Sequence, residues 1–309
     1  MKKLLSLLLV LVLLLSLAPL SLAAENEGIE AVLDGLGKAS YREAYEALLE
    51  GEVIEKGTNS DSVKALQRLL NELGQEVSKD GKAGSGTIKA VNKILAKYGM
   101  EETEVVDADV FAELLCCAYI LEKGEDAQED VITAGMDEGQ YYYILGRKYQ
   151  ADKHYYLAQN AYTISDWADW SDRADDCVQK WPSDGRIWKS SSRIGSGVTV
   201  KFKVTNSDSD VATCFKIYNS DDKLVAVLFI GGNGSASTNL KAGRYTIKQG
   251  NGTEWYGRKD AFGEEGWYCT WTFDDGATSY KFKSGYVYTL TTGVSDGNAG
   301  SDYASWGDF

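Results

Sequence analysis

Residues 57–115 read GTNSDSVKALQRLLNELGQEVSKDGKAGSGTIKAVNKILAKYGMEETEVVDADVFAELL, and this stretch decides the fold of the N-terminal part. Val63, Leu66, Leu69, Leu70 and Leu73 recur three or four apart, which is one apolar face of a helix. Ser60 or Asp61 can accept the free N–H groups at its start, and Gly74 can take the left-handed turn after its end. Thr87, Ala90, Val91, Ile94, Leu95 and Tyr98 repeat the pattern up to Gly99. A third run begins near Asp107 or Asp109 with Val110, Phe111, Leu114 and Leu115, and can continue to Gly124. Three short helices on short connections bury such faces against one another, so the expected unit is a small three-helix bundle.

The order Val63-Lys-Ala-Leu66-Gln67, Leu70, Gly74, Asp80-Gly81, Gly84, Thr87, Ala90-Val91 and Gly99-Met100 resembles the peptidoglycan-binding-like domain. That family reads V-x-x-L-Q-x-x-L-x-x-x-G, then D-G-x-[FY]-G-x-x-T-x-x-A-V-x-x-F-Q-x-x-x-G-[LI]. It is a wall-binding module of secreted bacterial proteins, and the likeness covers about sixty residues. The chain departs from it at Ala83, at Ile94-Leu95 and at Asp107-Ala108. The resemblance implies peptidoglycan, glycan strand or stem peptide, as partner, with Gln67, Asp80, Gly81 and Thr87 as binding residues. The residues themselves leave other roles open. Asp-Gly is by itself a turn dipeptide. Gln67 can bond the loop after Gly81 or line a groove, and Thr87 can pack or cap a helix.

Upstream, Met1–Ala23 has a Lys2-Lys3 head, a leucine-rich run and a Ser21-Leu22-Ala23 cleavage site, the pattern of a signal peptide. The expected product is secreted and cell-wall associated, with no membrane segment after cleavage. The formal charge is −14, or −16 without Lys2 and Lys3. Residues 25–140 carry 26 Asp+Glu against 11 Lys+Arg, whereas residues 141–309 carry 20 against 19. An acidic front half argues against nucleic acid as a partner.

Residues 24–124 are read as the helical domain with a lead-in helix over 25–56, interrupted at Gly35, Gly37 and Gly51, and residues 125–139 as an acidic linker. Within 140–181, Tyr142-x-x-Leu145-Gly146-x-x-Tyr149 followed by Tyr155, Ala158 and Tyr162 resembles a single tetratricopeptide repeat, closed by a helix over 169–180. One repeat is too few for a binding solenoid, so a spacer is the expectation.

Beyond Trp181-Pro182-Ser183-Asp184-Gly185 the period changes to two. Val198, Val200, Phe202 and Val204 alternate with polar residues, as do Thr213, Phe215 and Ile217, and Tyr245 and Ile247. Leu224–Ile230 is continuously apolar, and Trp267, Cys269, Trp271 and Phe273 share a face. An antiparallel β-sandwich of roughly eight strands over 185–293 follows, with a tail over 294–309. It resembles C-terminal β domains of exported proteins from Gram-positive bacteria. The chain as a whole is thus read as multidomain α + β. The loop Gly250–Gly257 offers Trp255 and Tyr256, which either stack on a sugar or close the end of the sandwich.

Five cysteines, Cys116, Cys117, Cys177, Cys214 and Cys269, have no framework spacing; adjacent Cys116 and Cys117 are poor partners, whereas Cys214 and Cys269 both fall in strands and can pair. His154 is the sole histidine, which rules out a His-cluster zinc amidase and gives no base for a Cys or Ser nucleophile nearby in sequence. No cofactor or metal is implied, and the acidic turns at 206–210 and 219–222 lack the calcium-loop pattern. The reading is a secreted, non-catalytic wall-binding protein. Its alternatives are an extracellular protein binding a carbohydrate or surface protein through the β-sandwich, and a carboxylate-dependent glycan hydrolase, since Asp and Glu are plentiful.

Overall fold

The computed structural model describes residues 27–190, 197–205, 208–273, 276–292 and 299–309. The expected signal peptide, Met1–Ala23, lies outside the described residues, as do 206–207 and 293–298. The described chain forms two compact units. One runs to Asp152 and includes Ala158–Asp175; the other comprises Lys153–Leu157 and Asp176–Phe309.

The first unit is helical: α1 (residues 27–36), α2 (Ala39–Leu49), α3 (Asp61–Glu72), α4 (Ser85–Lys97), α5 (Ala108–Lys123), α6 (Gln128–Thr133), α7 (Glu138–Ala151), part of α8 (Tyr155–Ser165) and α9 (Trp170–Asp175). The caps are those the sequence offers. Ser60 Oγ accepts the Val63 N–H at 3.2 Å at the head of α3, and Asp107 accepts that of Val110 at 3.0 Å at the head of α5. Gly74 follows α3 at φ +87°.

The bundle is larger than three helices. Ile29, Val32 and Leu33 of α1, Tyr41 and Leu48 of α2, and Tyr141, Ile144 and Leu145 of α7 share one core with Leu66, Leu70, Val91, Ile94, Phe111 and Leu114. The stretch read as an acidic linker is part of it: a 3₁₀ turn, Gly124–Ala127, leads into α6, and Ala127 and Val131 are fully buried. Acidic residues there occupy the outer positions of a short amphipathic segment, which composition alone presents as a linker. The boundary expected at residue 124 therefore falls inside a continuous core.

α7 and α8 lie close together. A Cβ at Gly146 would stand 2.8 Å from the Tyr162 ring, so only glycine fits there. The Tyr143 and Tyr162 rings meet at 5.6 Å, and Tyr143 donates to Asp169 at 2.5 Å, holding the segment before α9.

The second unit carries ten strands among the described residues: β1 (Arg186–Lys189), β2 (Val198–Val204), β3 (Ala212–Asn219), β4 (Leu224–Ile230), β5 (Gly234–Leu240), β6 (Gly243–Gly252), β7 (Trp267–Phe273), β8 (Ser279–Phe282), β9 (Val287–Thr291) and β10 (Ala299–Ala304), with a short helix α10 (Gly257–Asp260) after β6. One antiparallel sheet has the order β1-β4-β3-β6-β7-β10, with β8 also pairing β6; a smaller one has the order β5-β2-β9. The β2–β9 pair is parallel, Val200 opposite Tyr288 and Phe202 opposite Leu290, against the all-antiparallel expectation.

Val200, Phe202 and Leu240 from the small sheet share a core with Phe215, Ile217, Leu228, Ile247 and Trp271 from the large one. The other face of the large sheet has its own core, in which Cys214, Val227, Phe229 and Tyr268 meet Trp255, Phe262 and Phe309. Burial on both faces explains why β4 is apolar without alternation. It also separates two cysteines: Cys214 belongs to one core and Cys269 to the other, with β6 between their strands. All five cysteines are free and buried. Burial pushes the Cys116, Cys177 and Cys214 thiols up to about 12 and Cys269 to about 11.

Candidate functional site

Gln67 stands on α3 at the edge of the apolar stripe and is 1% exposed. Its amide is fully used by the loop it faces. Nε2 donates to Asp80 Oδ1 at 2.9 Å and to the Lys82 carbonyl at 3.1 Å, while Oε1 accepts the Gly81 N–H at 2.9 Å. Of the two roles open to it, the side chain takes loop anchoring.

Gly81 sits at φ +76°, with Ser60 O only 3.2 Å from where a Cβ would be. Its carbonyl accepts the Ser60 N–H at 3.1 Å, and Thr58 and Ala83 are joined through Ala83 N–H to Thr58 O at 2.8 Å. Asp80 also accepts the Lys82 N–H at 3.0 Å. The Gln67 amide, then that N–H, holds its carboxyl below the usual carboxylate range. Beneath this loop the Glu52 carboxylate accepts the hydroxyls of Ser60 at 2.6 Å and Ser62 at 2.7 Å.

Thr87 is buried on the inner side of α4, and Ala83 and the Ile94-Leu95 pair are buried too. Four residues associated with binding by resemblance are thus placed together in two ways: Gln67, Asp80 and Gly81 form one hydrogen-bonded node, and Thr87 packs into the core beside it in sequence. Asp80 alone among them is exposed.

One concave surface of this unit is lined by Lys38, Tyr41, Arg68 and Glu72, and another lies on the other side of α4. An open groove of about 720 Å³ runs between the outer stripe of α4 (Ser85, Ile88, Lys89, Asn92, Lys93, Ala96) and the segment Glu102, Thr103, Glu104, Val105, with Glu55 and Lys56 at one end. Both walls are fixed. Asn92 Nδ2 donates to the Thr103 carbonyl and its Oδ1 accepts the Thr103 N–H, each at 2.9 Å. Ile54 and Val106 exchange backbone bonds of 2.9 and 2.8 Å below. Sequence reading missed this groove because its residues form the polar face of α4 and a short acidic loop, which look like ordinary solvated surface. The one local signal is Asn92, a poor helix former in a helix centre.

In the β unit, Trp255 and Tyr256 are 3% exposed each, so neither offers a face to a sugar. Trp255 packs edge-on to Phe229 at 4.9 Å and Phe262 at 5.5 Å, and its backbone bridges Gln179. Tyr256 meets Tyr156 at 5.2 Å. The physical reason is the second core: the face of the large sheet opposite β2 needs a cover, and the loop after β6 supplies it. Trp271 and Phe273 are core as their parity requires, but Trp267 at the strand start is 47% exposed.

His154 is held at both ring nitrogens. Its Nδ1 lies 2.9 Å from Oδ1 of Asp260, which is buried and also accepts the Tyr156 N–H at 2.9 Å. Its Nε2 lies 3.3 Å from Lys259 Nζ. Both ring nitrogens are occupied, so the pair orients the Lys153–Leu157 segment. Lys216 is buried alongside, donating to the Lys259 carbonyl at 2.9 Å; burial lowers its pKa. Sequence gave no hint of either, because the partners lie far apart in the chain.

Among the described residues, no three His, Cys, Asp or Glu side chains come together as metal ligands, and no helix is long and apolar enough to cross a membrane. No curated protein matches the chain. Residues 61–143, the start of α3 to the first half of α7, match the model of the family described as "Predicted Peptidoglycan domain".

Proposed function

We propose that the protein is a secreted, non-catalytic binder of the bacterial cell wall whose helical unit engages peptidoglycan. The observation that carries the reading is the coincidence of the family match with a structural unit. The matched stretch, 61–143, contains α3, α4, α5 and α6 and enters α7, and these helices share a core. Non-catalysis is supported by how the titratable groups are spent. The sole histidine is held on both nitrogens, and the five thiols are buried with raised pKa values or no exposure.

The β unit is a second, separately cored body, for which the same secreted context makes a carbohydrate or surface protein the alternative partner. With Trp255 and Tyr256 buried, the most exposed rings on this unit are Trp267, Tyr286 and Tyr303, at 47%, 60% and 80% exposure.

Incubation of the full chain with purified sacculi tests the reading. The protein sediments with the sacculi, and no reducing sugar or new amino groups appear in the supernatant. Protein left in solution sinks the wall-binding reading, and soluble fragments released by it sink the non-catalytic one.

A further inference from the structure

The groove along α4 has a charge pattern with no structural use. Lys89 and Lys93 stand one turn apart on the helix wall, Glu102 and Glu104 on the facing segment, and Lys56 beside Glu55 at the end. None of these six side chains forms an ion pair or a side-chain hydrogen bond among the described residues. Elsewhere on the same unit, exposed charges do pair, as Lys38 with Glu72 and Lys148 with Asp152. Two lysines on one wall and two carboxylates on the other instead face an open space. Between them the lining is aliphatic (Ile88, Ala96, Val105), and no aromatic ring lines the groove.

We infer that this groove holds a short zwitterionic peptide, the stem peptide of peptidoglycan, with carboxylate against Lys89 and Lys93 and ammonium against Glu102 and Glu104. The inference rests on the wall-binding reading above and names the moiety that reading leaves open. Charge complementarity selects the ligand class. A neutral glycan strand has no group to match opposed rows of unlike charge, and it is ordinarily held by flat rings, which are missing here. A peptide of small apolar residues with free ends or side-chain charges matches both rows and lays its methyl groups on Ile88 and Val105. The Asn92–Thr103 bonds fix the distance between the walls before the ligand arrives, so little ordering is lost on binding. The size of the groove falls within the range of small-ligand sites, roughly 300–1,000 Å³. Because the contacts are solvent-facing ion pairs, salt weakens them.

The test uses the full chain with three probes in parallel: intact sacculi, free stem pentapeptide, and glycan strands stripped of peptide by an amidase with the freed carboxyls then amidated to keep the strand neutral. The variants are Lys89→Glu with Lys93→Glu, and Lys89→Arg with Lys93→Arg. Both pairs lie on the exposed side of α4 and leave its core face untouched, which circular dichroism checks. The expected result is binding to sacculi and to pentapeptide but not to stripped glycan. Charge reversal weakens pentapeptide binding about tenfold or more, the arginine pair keeps it, and raising NaCl from low to high concentration weakens it. If sacculi are bound but the pentapeptide is not, or the reversal binds as well as the parent chain, the groove assignment is overturned while wall binding stands. If neither sacculi nor pentapeptide is bound, both readings fall.

Discussion

The helical and β units treat their conspicuous residues alike and their surfaces differently. In the helical unit, Gln67, Asp80 and Gly81 stand out by spacing, and they turn out to be one node that pins a loop to α3. In the β unit, Trp255 and Tyr256 stand out by chemistry, and they turn out to be the cover of a second core. In each case the residue that attracts attention in sequence is committed to internal contacts, hydrogen bonds in the first unit and ring packing in the second. The units part company on their surfaces. The helical unit presents a concave strip of unpaired charge beside α4, whereas the β unit presents single exposed rings such as Tyr286 and Tyr303. A motif therefore marks where the chain cannot vary its packing, and the ligand face has to be found by asking which charges go unused.

The comparison breaks most readily at Trp255. Trp255→Ala removes the ring that meets Phe229, Phe262 and Trp188, and truncation of a buried aromatic costs about 3–5 kcal/mol. Urea unfolding of the full chain should show that loss in the β-unit signal, with sacculus binding unchanged in water. A variant of parental stability that lost binding to a glycan would instead restore the stacking role.

Next in size is Gln67→Leu, which strands the buried Gly81 N–H. Leaving such a donor unpaired costs about 1–3 kcal/mol. Far-UV thermal melts measure it, and binding per folded molecule should hold. If binding fell tenfold with no change in melting, Gln67 would be a ligand contact and the node reading would fail.

Gly81→Ala should cost about 1–2 kcal/mol, since a side chain in the left-handed region is strained and Ser60 O crowds the new methyl. A stabilised variant would contradict the φ of +76°.

Smallest is the acid limb contributed by Asp80. Its folded pKa is depressed, chiefly by the Gln67 amide, so the unfolded chain binds the proton more readily. The contribution is present above the unfolded value near 4 and disappears as pH falls through the folded one. Asp80→Asn should flatten the stability profile in that window, lowering stability slightly at neutral pH and leaving it unchanged below the folded value. An unchanged profile would remove Asp80 from the node.

Sequence reading reached the helices through period and caps. Ser60, Asp107 and Gly74 end elements by bonds that span three or four residues, so the signal is local and complete. Strands β2, β4 and β7 were legible for the same reason, because alternation, or its absence, records whether one face or both are covered. β5 was not. Gly234–Leu240 is made of small and polar residues that read as a turn, and only its partner β2 and the core beneath make Ala236 and Leu240 strand positions. The acidic stretch after residue 124 failed similarly, since Ala127, Val131 and Met136 are sparse among acidic residues until α5 and α7 are brought around them.

What the sequence determined by itself is therefore everything carried by short-range spacing: the three helix faces of residues 57–115, their caps, the change of period after Trp181, and the likeness to a peptidoglycan domain. Tertiary structure alone decided which surfaces those elements leave over. It joined α1, α6 and α7 to the bundle, set β9 parallel to β2, and buried Trp255 under a sheet. It brought His154 to Asp260 across a separation of 106 residues, and left six charges unpaired around one groove. The physical reason is range. Backbone periodicity and capping act within one or two turns, whereas burial and charge pairing depend on residues the chain delivers from far away.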